Sequence, residues 1–111
     1  MKTNISFDFD GCLASYENLQ AMAKNLACQR VKVFILTSRC SANVNKDLFD
    51  IAHKCGIPKN RILMVCEHDK WRAIERHRIT IHFDDDEVEV DVINENLPGR
   101  AFLVGYRRAV S

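Results

Sequence analysis

Asp8 and Asp10 stand two residues apart where an apolar run gives out, in Ile5-Ser6-Phe7-Asp8-Phe9-Asp10-Gly11-Cys12-Leu13. In an extended chain Ile5, Phe7 and Phe9 point to one side, and Ser6, Asp8 and Asp10 to the other. Two carboxylates on one side of a strand repel unless a cation or a shared proton lies between them. Aspartate is also disfavoured inside strands. Such a pair at a strand end therefore points to a divalent-metal site with one carboxylate free for chemistry. Gly11 lets the backbone turn sharply just past the pair.

The elements that must position this pair follow from hydrophobic periodicity. The first strand is expected over Asn4 to Phe9, and a helix capped by Ser15 runs to Gln29 with Leu19, Met22, Ala23 and Leu26 inward. Val31 to Leu36 reads as a second strand ending at Thr37-Ser38-Arg39, and Asn43 to Lys54 as a helix stopped by Gly56. Arg61 to Cys66 is the third strand, Asp69 to Arg76 a short helix, and Ile79 to Phe83 a fourth strand running into Asp84-Asp85-Asp86. Val88 to Asn96 reads as helix, Ala101 to Gly105 as the fifth strand, and Tyr106 to Ser111 as a basic tail.

Strands alternating with helices predict an α/β three-layer sandwich with a five-stranded parallel sheet, in one domain over residues 1–111. Ligands bind such sheets beyond the carboxyl ends of the strands. Asp8 and Asp10, Thr37 and Ser38, Lys70, and Asp84 to Asp86 all follow strands, so all four groups are expected on the same edge. Trp71 is expected to pack against the core. His53, His68, His77 and His82 lack metal-ligand spacing and are expected to play no catalytic or ligating part.

The totals exclude several classes. A net charge of +1 offers no electrostatic case for general nucleic-acid or membrane binding. The cysteines, Cys12, Cys28, Cys40, Cys55 and Cys66, are odd in number, widely spaced and without a C-x-x-C pair. They are expected to be reduced and partly buried, with neither a disulfide framework nor a zinc site. The N-terminus lacks the apolar region of a signal peptide, and no apolar run approaches membrane-spanning length. A soluble cytoplasmic protein is expected.

Taken in chain order, D-F-D-G-C-L, then F-I-L-T-S, then a lysine, then H-F-D-D-D, resemble the four motifs of the haloacid dehalogenase superfamily. The resemblance covers nearly the whole chain. It implies a magnesium-dependent phosphatase in which Asp8 is the nucleophile, forming an aspartyl-phosphate, and Asp10 the general acid and base. Magnesium would be held by Asp8, the backbone carbonyl of Asp10, and Asp84 or Asp85. Thr37 and Ser38 would bind phosphoryl oxygens, Lys70 would supply positive charge, and Arg39 is a candidate clamp for a substrate phosphate or sugar. The interval from Asp10 to Thr37 holds only a helix and a strand, which leaves no room there for a cap domain. An open site leans the substrate toward nucleotide or polynucleotide phosphate ends. Two rivals stand beside this reading. A phospho-acceptor domain of the receiver type would carry its aspartate after the third strand, where this chain has Val65-Cys66-Glu67. The other rival is a binding module that keeps the pocket without the reaction.

Overall fold

In the computed structural model, which describes residues 3–105, five strands form one all-parallel sheet in the order β3-β2-β1-β4-β5. They are β1 (Thr3–Phe7), β2 (Val31–Thr37), β3 (Ile62–Met64), β4 (Ile81–Asp84) and β5 (Ala101–Leu103). Helices α1 (Glu17–Ala27), α2 (Lys46–Lys54), α3 (Lys70–Arg76) and α4 (Glu87–Asn96) connect them. The alternation expected from the sequence is therefore present, with every strand and helix in its expected place. The basic tail falls outside the described residues. Among the described residues no helix is long and apolar enough to cross a membrane.

Period-two alternation in β2 builds both layers. Val33 and Ile35 join Ile5, Phe7, Leu48 and Ala52 in a core under α1 and α2. Phe34 and Leu36 face the other way and join Ile74, Ile79, Val90 and Ile93 under α3 and α4. Trp71 is half-buried against this second core, as expected. The chain builds outward from β1 through β2 to β3, then crosses back to lay β4 on the other side of β1. The order therefore reverses between β1 and β4, and their carboxyl ends flank the crevice where parallel sheets bind ligands. The register Phe7↔Phe83 brings Asp8 and Asp84 to the same level of that crevice.

Several boundaries differ from the sequence expectation, and at four of them the local structure shows what replaces the regular element. β1 stops at Phe7, and Phe9–Leu13 form a wide turn in which Gly11 takes a φ of 73°. α1 begins at Glu17 rather than on a Ser15 cap; Tyr16 precedes it without a side-chain bond, and the buried Gln20 reaches back to the Leu13 carbonyl (2.9 Å). α2 begins at Lys46 rather than Asn43. Asn43 accepts from the Cys40 amide, and Asn45 donates to the Cys40 and Asn43 carbonyls, so both shape the preceding loop. β3 stops at Met64 because Cys66 and Glu67 are left-handed, although their amides still bond the Arg39 and Ser38 carbonyls.

The cysteine expectation needs correction at one pair. Cys40 and Cys66, 26 residues apart, form a disulfide, while Cys12 and Cys55 are buried thiols and Cys28 an exposed one. Their adjacency is made by the parallel pairing of β2 with β3, whose ends carry both cysteines onward together. Spacing along the chain holds no trace of it.

Candidate active site

Asp8 leaves the end of β1 with its amide bonded to the Phe83 carbonyl (2.8 Å), which fixes its height above the sheet. Asp84 closes β4, and Lys70 opens α3 and reaches across the crevice. The Lys70 ammonium donates to Asp8 Oδ1 (2.7 Å) and to Asp84 Oδ2 (2.8 Å), and all three side chains are buried. Asp85 is exposed, and one oxygen from each of Asp8, Asp84 and Asp85 lies within 4.8 Å of the others. Gly11 admits Asp85 to this position, since a Cβ on Gly11 would collide with the Asp85 carboxylate. Asp86, next in line, is the cap of α4 and accepts from the amides of Val88 and Glu89 (3.0 and 3.4 Å).

The charges do not balance. Three carboxylates gather around one ammonium, so the cluster keeps a net negative charge that a proton or a cation must offset. Burial, reinforced by Asp84, pushes Asp8 up to about 8 against the pull of Lys70. Asp84 goes the other way: burial works to raise it, but His82 and Lys70 hold it below the ordinary carboxylate range. Lys70, which burial alone would discharge, is kept above its ordinary value by the two aspartates. Burial pushes His82 down. The three exposed or inward-facing carboxylate oxygens are hard, all-oxygen donors, the set that suits magnesium, manganese or calcium rather than zinc or copper. The residues present thus fit the divalent cation that the sequence led us to expect.

The cavity above the cluster has a volume of about 460 Å³ and is lined by Asp8, Asp10, Ser38, Lys70 and the acidic side chains from Asp84 to Glu89. It is open, and two further hollows adjoin it. One, of about 550 Å³, shares Asp85 and Glu87 and extends past Gly11 and Tyr16. The other, of about 450 Å³, shares Ser38 and Glu89 and extends past Arg39, Asn43 and His68. The rim is acidic, and burial raises Glu89 within it.

Most residues singled out from the sequence meet here. Asp8, Asp10, Ser38, Lys70, Asp84 and Asp85 share the cavity. Asp10 contributes no side-chain oxygen to the close acidic triple; its carboxylate turns instead to Arg39, accepting from Nε (2.9 Å) and Nη2 (2.7 Å). Thr37 is buried at the end of β2, outside the cavity lining, and its Oγ1 accepts from the Arg39 amide (3.3 Å). Arg39 lines the adjoining hollow, but its guanidinium is committed. Besides Asp10 it donates to Asp47 (2.8 and 2.9 Å) and lies 4.9 Å from the centre of the Phe9 ring. Those bonds hold it well above its ordinary value and bring Asp47 down to about 2. The expected clamp on substrate is, in this structure, a clamp on Asp10.

Two buried groups were given no part in the site by the sequence reading, which placed Ser6 beside Asp8 and expected no catalytic or ligating part of His82. His82 Nε2 bonds Asp84 Oδ2 (2.9 Å), and its Nδ1 bonds the Ser6 hydroxyl (2.7 Å), with Ser6 and His82 both fully buried. The available signal was period two: Ser6 shares a face of β1 with Asp8, and His82 a face of β4 with Asp84. No family model, curated protein or solved structure matches this chain.

Proposed function

We propose that this chain is a capless, magnesium-dependent phosphatase of the haloacid dehalogenase type, hydrolysing phosphate monoesters through an aspartyl-phosphate on Asp8. One observation carries the reading. A buried strand-end carboxylate, a buried lysine and two further aspartates converge at the reversal of a parallel sheet, with Asp10, from the turn after β1, in the same cavity.

Asp8 is the nucleophile. Its oxygen attacks phosphorus, the bond from phosphorus to the leaving oxygen breaks, and Asp10 gives that oxygen a proton. Water then attacks the phosphoryl group, Asp10 takes a proton from it, and the bond to Asp8 breaks to release inorganic phosphate. Asp10 must release at least one of its two bonds to Arg39 to do this, so arrival of the leaving group competes with the clamp. Lys70 stays against Asp8 and lends positive charge to the transferring oxygens. Ser38, at the cavity wall, donates to a phosphoryl oxygen. Asp8, Asp84 and Asp85 would hold magnesium, which would supply positive charge to keep Asp8 ionised and to cancel its repulsion with the phosphate.

Openness of the site supports large substrates, nucleotide phosphate ends among them. The acidic rim weighs against a long polyanion, because Glu87 and Glu89 would face its further phosphates. The test is a panel of phosphate monoesters, including nucleotides, DNA and RNA ends and phosphopeptides, with magnesium and then with a chelator. Release of phosphate that needs the metal and vanishes in Asp8→Asn is the expected result. Asp10→Asn should lower turnover by about 10²–10⁴-fold while leaving magnesium binding intact. Full activity in Asp8→Asn would reject the covalent route, and function retained in Asp10→Asn would favour a binding module.

A further inference from the structure

The oxygens of Asp84 are not equivalent. Oδ2 accepts from Lys70 Nζ (2.8 Å) and from His82 Nε2 (2.9 Å), whereas Oδ1 accepts only from the Asp86 amide (3.1 Å). A carboxylate has about four lone-pair sites, two on each oxygen. Both sites on Oδ2 are therefore taken and one on Oδ1 is open. The two partners of His82 point to one tautomer. An ionised Asp84 can only accept, so the proton of the neutral ring lies on Nε2, and Nδ1 accepts from the Ser6 hydroxyl. Ser6 and His82 are register partners on neighbouring strands, held face to face by the sheet itself, and both are sealed from water. Nothing in the proposed reaction uses either of them.

We propose that the buried Ser6–His82 pair is a metal-selectivity device: by occupying Oδ2 of Asp84 it restricts that carboxylate to a single bond, through Oδ1, to the cation. This rests on the reading that a divalent cation sits among Asp8, Asp84 and Asp85. Magnesium is small, six-coordinate and satisfied by one oxygen from each carboxylate, with water completing its shell. Calcium is larger and takes more oxygens, often both from one carboxylate. A carboxylate denied its second oxygen favours the former. His82 is a positioning residue in this account, acting on the cation only through Asp84, as outer partners of metal ligands commonly do.

The experiment measures magnesium and calcium binding calorimetrically on the full chain, in wild type, His82→Leu and His82→Gln. Leucine removes the donor to Oδ2, while glutamine keeps an N–H at comparable reach. In wild type magnesium should bind more tightly than calcium. In His82→Leu the ratio of the two affinities should move toward calcium by about tenfold or more, and His82→Gln should restore it. A second measurement needs no variant: the ¹⁵N spectrum of the wild-type imidazole should show the proton on Nε2. An unchanged affinity ratio in a folded His82→Leu, or a proton found on Nδ1, overturns the proposal and leaves the phosphatase reading standing. Failure of wild type to bind either cation overturns both. Should His82→Leu not fold, the tautomer spectrum and the affinity ratio of His82→Gln decide. Nε2–H with a preserved ratio supports the device, and Nδ1–H or a ratio shifted toward calcium overturns it.

Discussion

Two groups of the same charges, one cation between two aspartates, meet at the crevice of this molecule and behave in opposite ways. Lys70 between Asp8 and Asp84 is buried. Arg39 between Asp10 and Asp47 lies near the surface, with the two carboxylates more than half exposed. In the exposed group geometry is nearly ideal, each carboxylate taking two parallel bonds from the guanidinium, and water screens whatever charge is left over. In the buried group nothing screens the excess. One carboxylate, Asp84, is pinned by His82 and Lys70 and lies low; the other, Asp8, is pushed up to about 8 chiefly by burial. The same set of charges thus gives a tether outside and a site hungry for positive charge inside. Of the two, the second is suited to hold a cation, as the proposed function requires.

The sharpest way to break the contrast is to remove the central cation from the buried group. Lys70→Met leaves two buried carboxylates without their counter-ion, and breaking a buried pair in this way costs about 3–5 kcal/mol. A fall in Tm of at least about 10 °C is expected in thermal unfolding. The loss should be larger at high pH than at low, because protonation of Asp8 relieves the repulsion in the variant. A Tm within two or three degrees of wild type at pH 8 would show that the lysine is not the counter-ion the structure makes it.

The next effect in size sharpens the comparison without any substitution. The folded state raises Asp8 from 3.8 in the unfolded chain to about 8, so between those values it binds more protons than the unfolded state does. Stability from this group is complete below about 4 and is lost as pH rises through about 8. Metal-free protein, kept in chelator, should therefore melt at lower temperature at pH 8 than at pH 5. Under the proposed function added magnesium would take the place of the proton, so its stabilising effect should grow over the same range. A magnesium-induced shift in Tm that is equal at pH 5 and pH 8 would contradict this.

Much of the buried group was legible before any coordinates. Asp8 shows itself by interrupting an alternating apolar strand, Asp84 and Asp85 by following one, and Lys70 by its place in the order of motifs. The sheet brings them together because parallel strands point all their carboxyl ends one way, a property that hydrophobic pattern alone can signal. The outer group was not legible. Arg39 could be seen as a loop arginine beside the crevice, but its commitment to Asp10 and Asp47 depends on where the 40–45 loop sends α2. That path is set by the side chains of Asn43 and Asn45 and by the bond between Cys40 and Cys66. Ser6 and His82 were hidden for a related reason. Period two tells which face a residue takes, whereas the partner across the strand depends on register, and register here is settled by long-range pairing of β1 with β4.

The smallest effect should come from the rim of the outer group. Asp47 is exposed and brought down to about 2 mainly by its bonds to Arg39, so what it adds to stability is present above about 4 and lost as pH falls through 2. Asp47→Asn should leave Tm within a few degrees of wild type at neutral pH and low salt, and any difference should vanish in 0.5 M salt, roughly where screening shortens to a few ångströms. Its consequence for turnover is more telling. With Asp47 neutralised, Arg39 has one anionic partner left and should hold Asp10 more tightly, which opposes release of Asp10 to the leaving group. A drop in kcat of less than about tenfold with KM unchanged is the expected outcome, well short of the loss in Asp10→Asn. Were Asp47→Asn to lose as much turnover as Asp10→Asn, the outer group would be part of the chemistry and not a tether, and the division drawn between the two groups would fail.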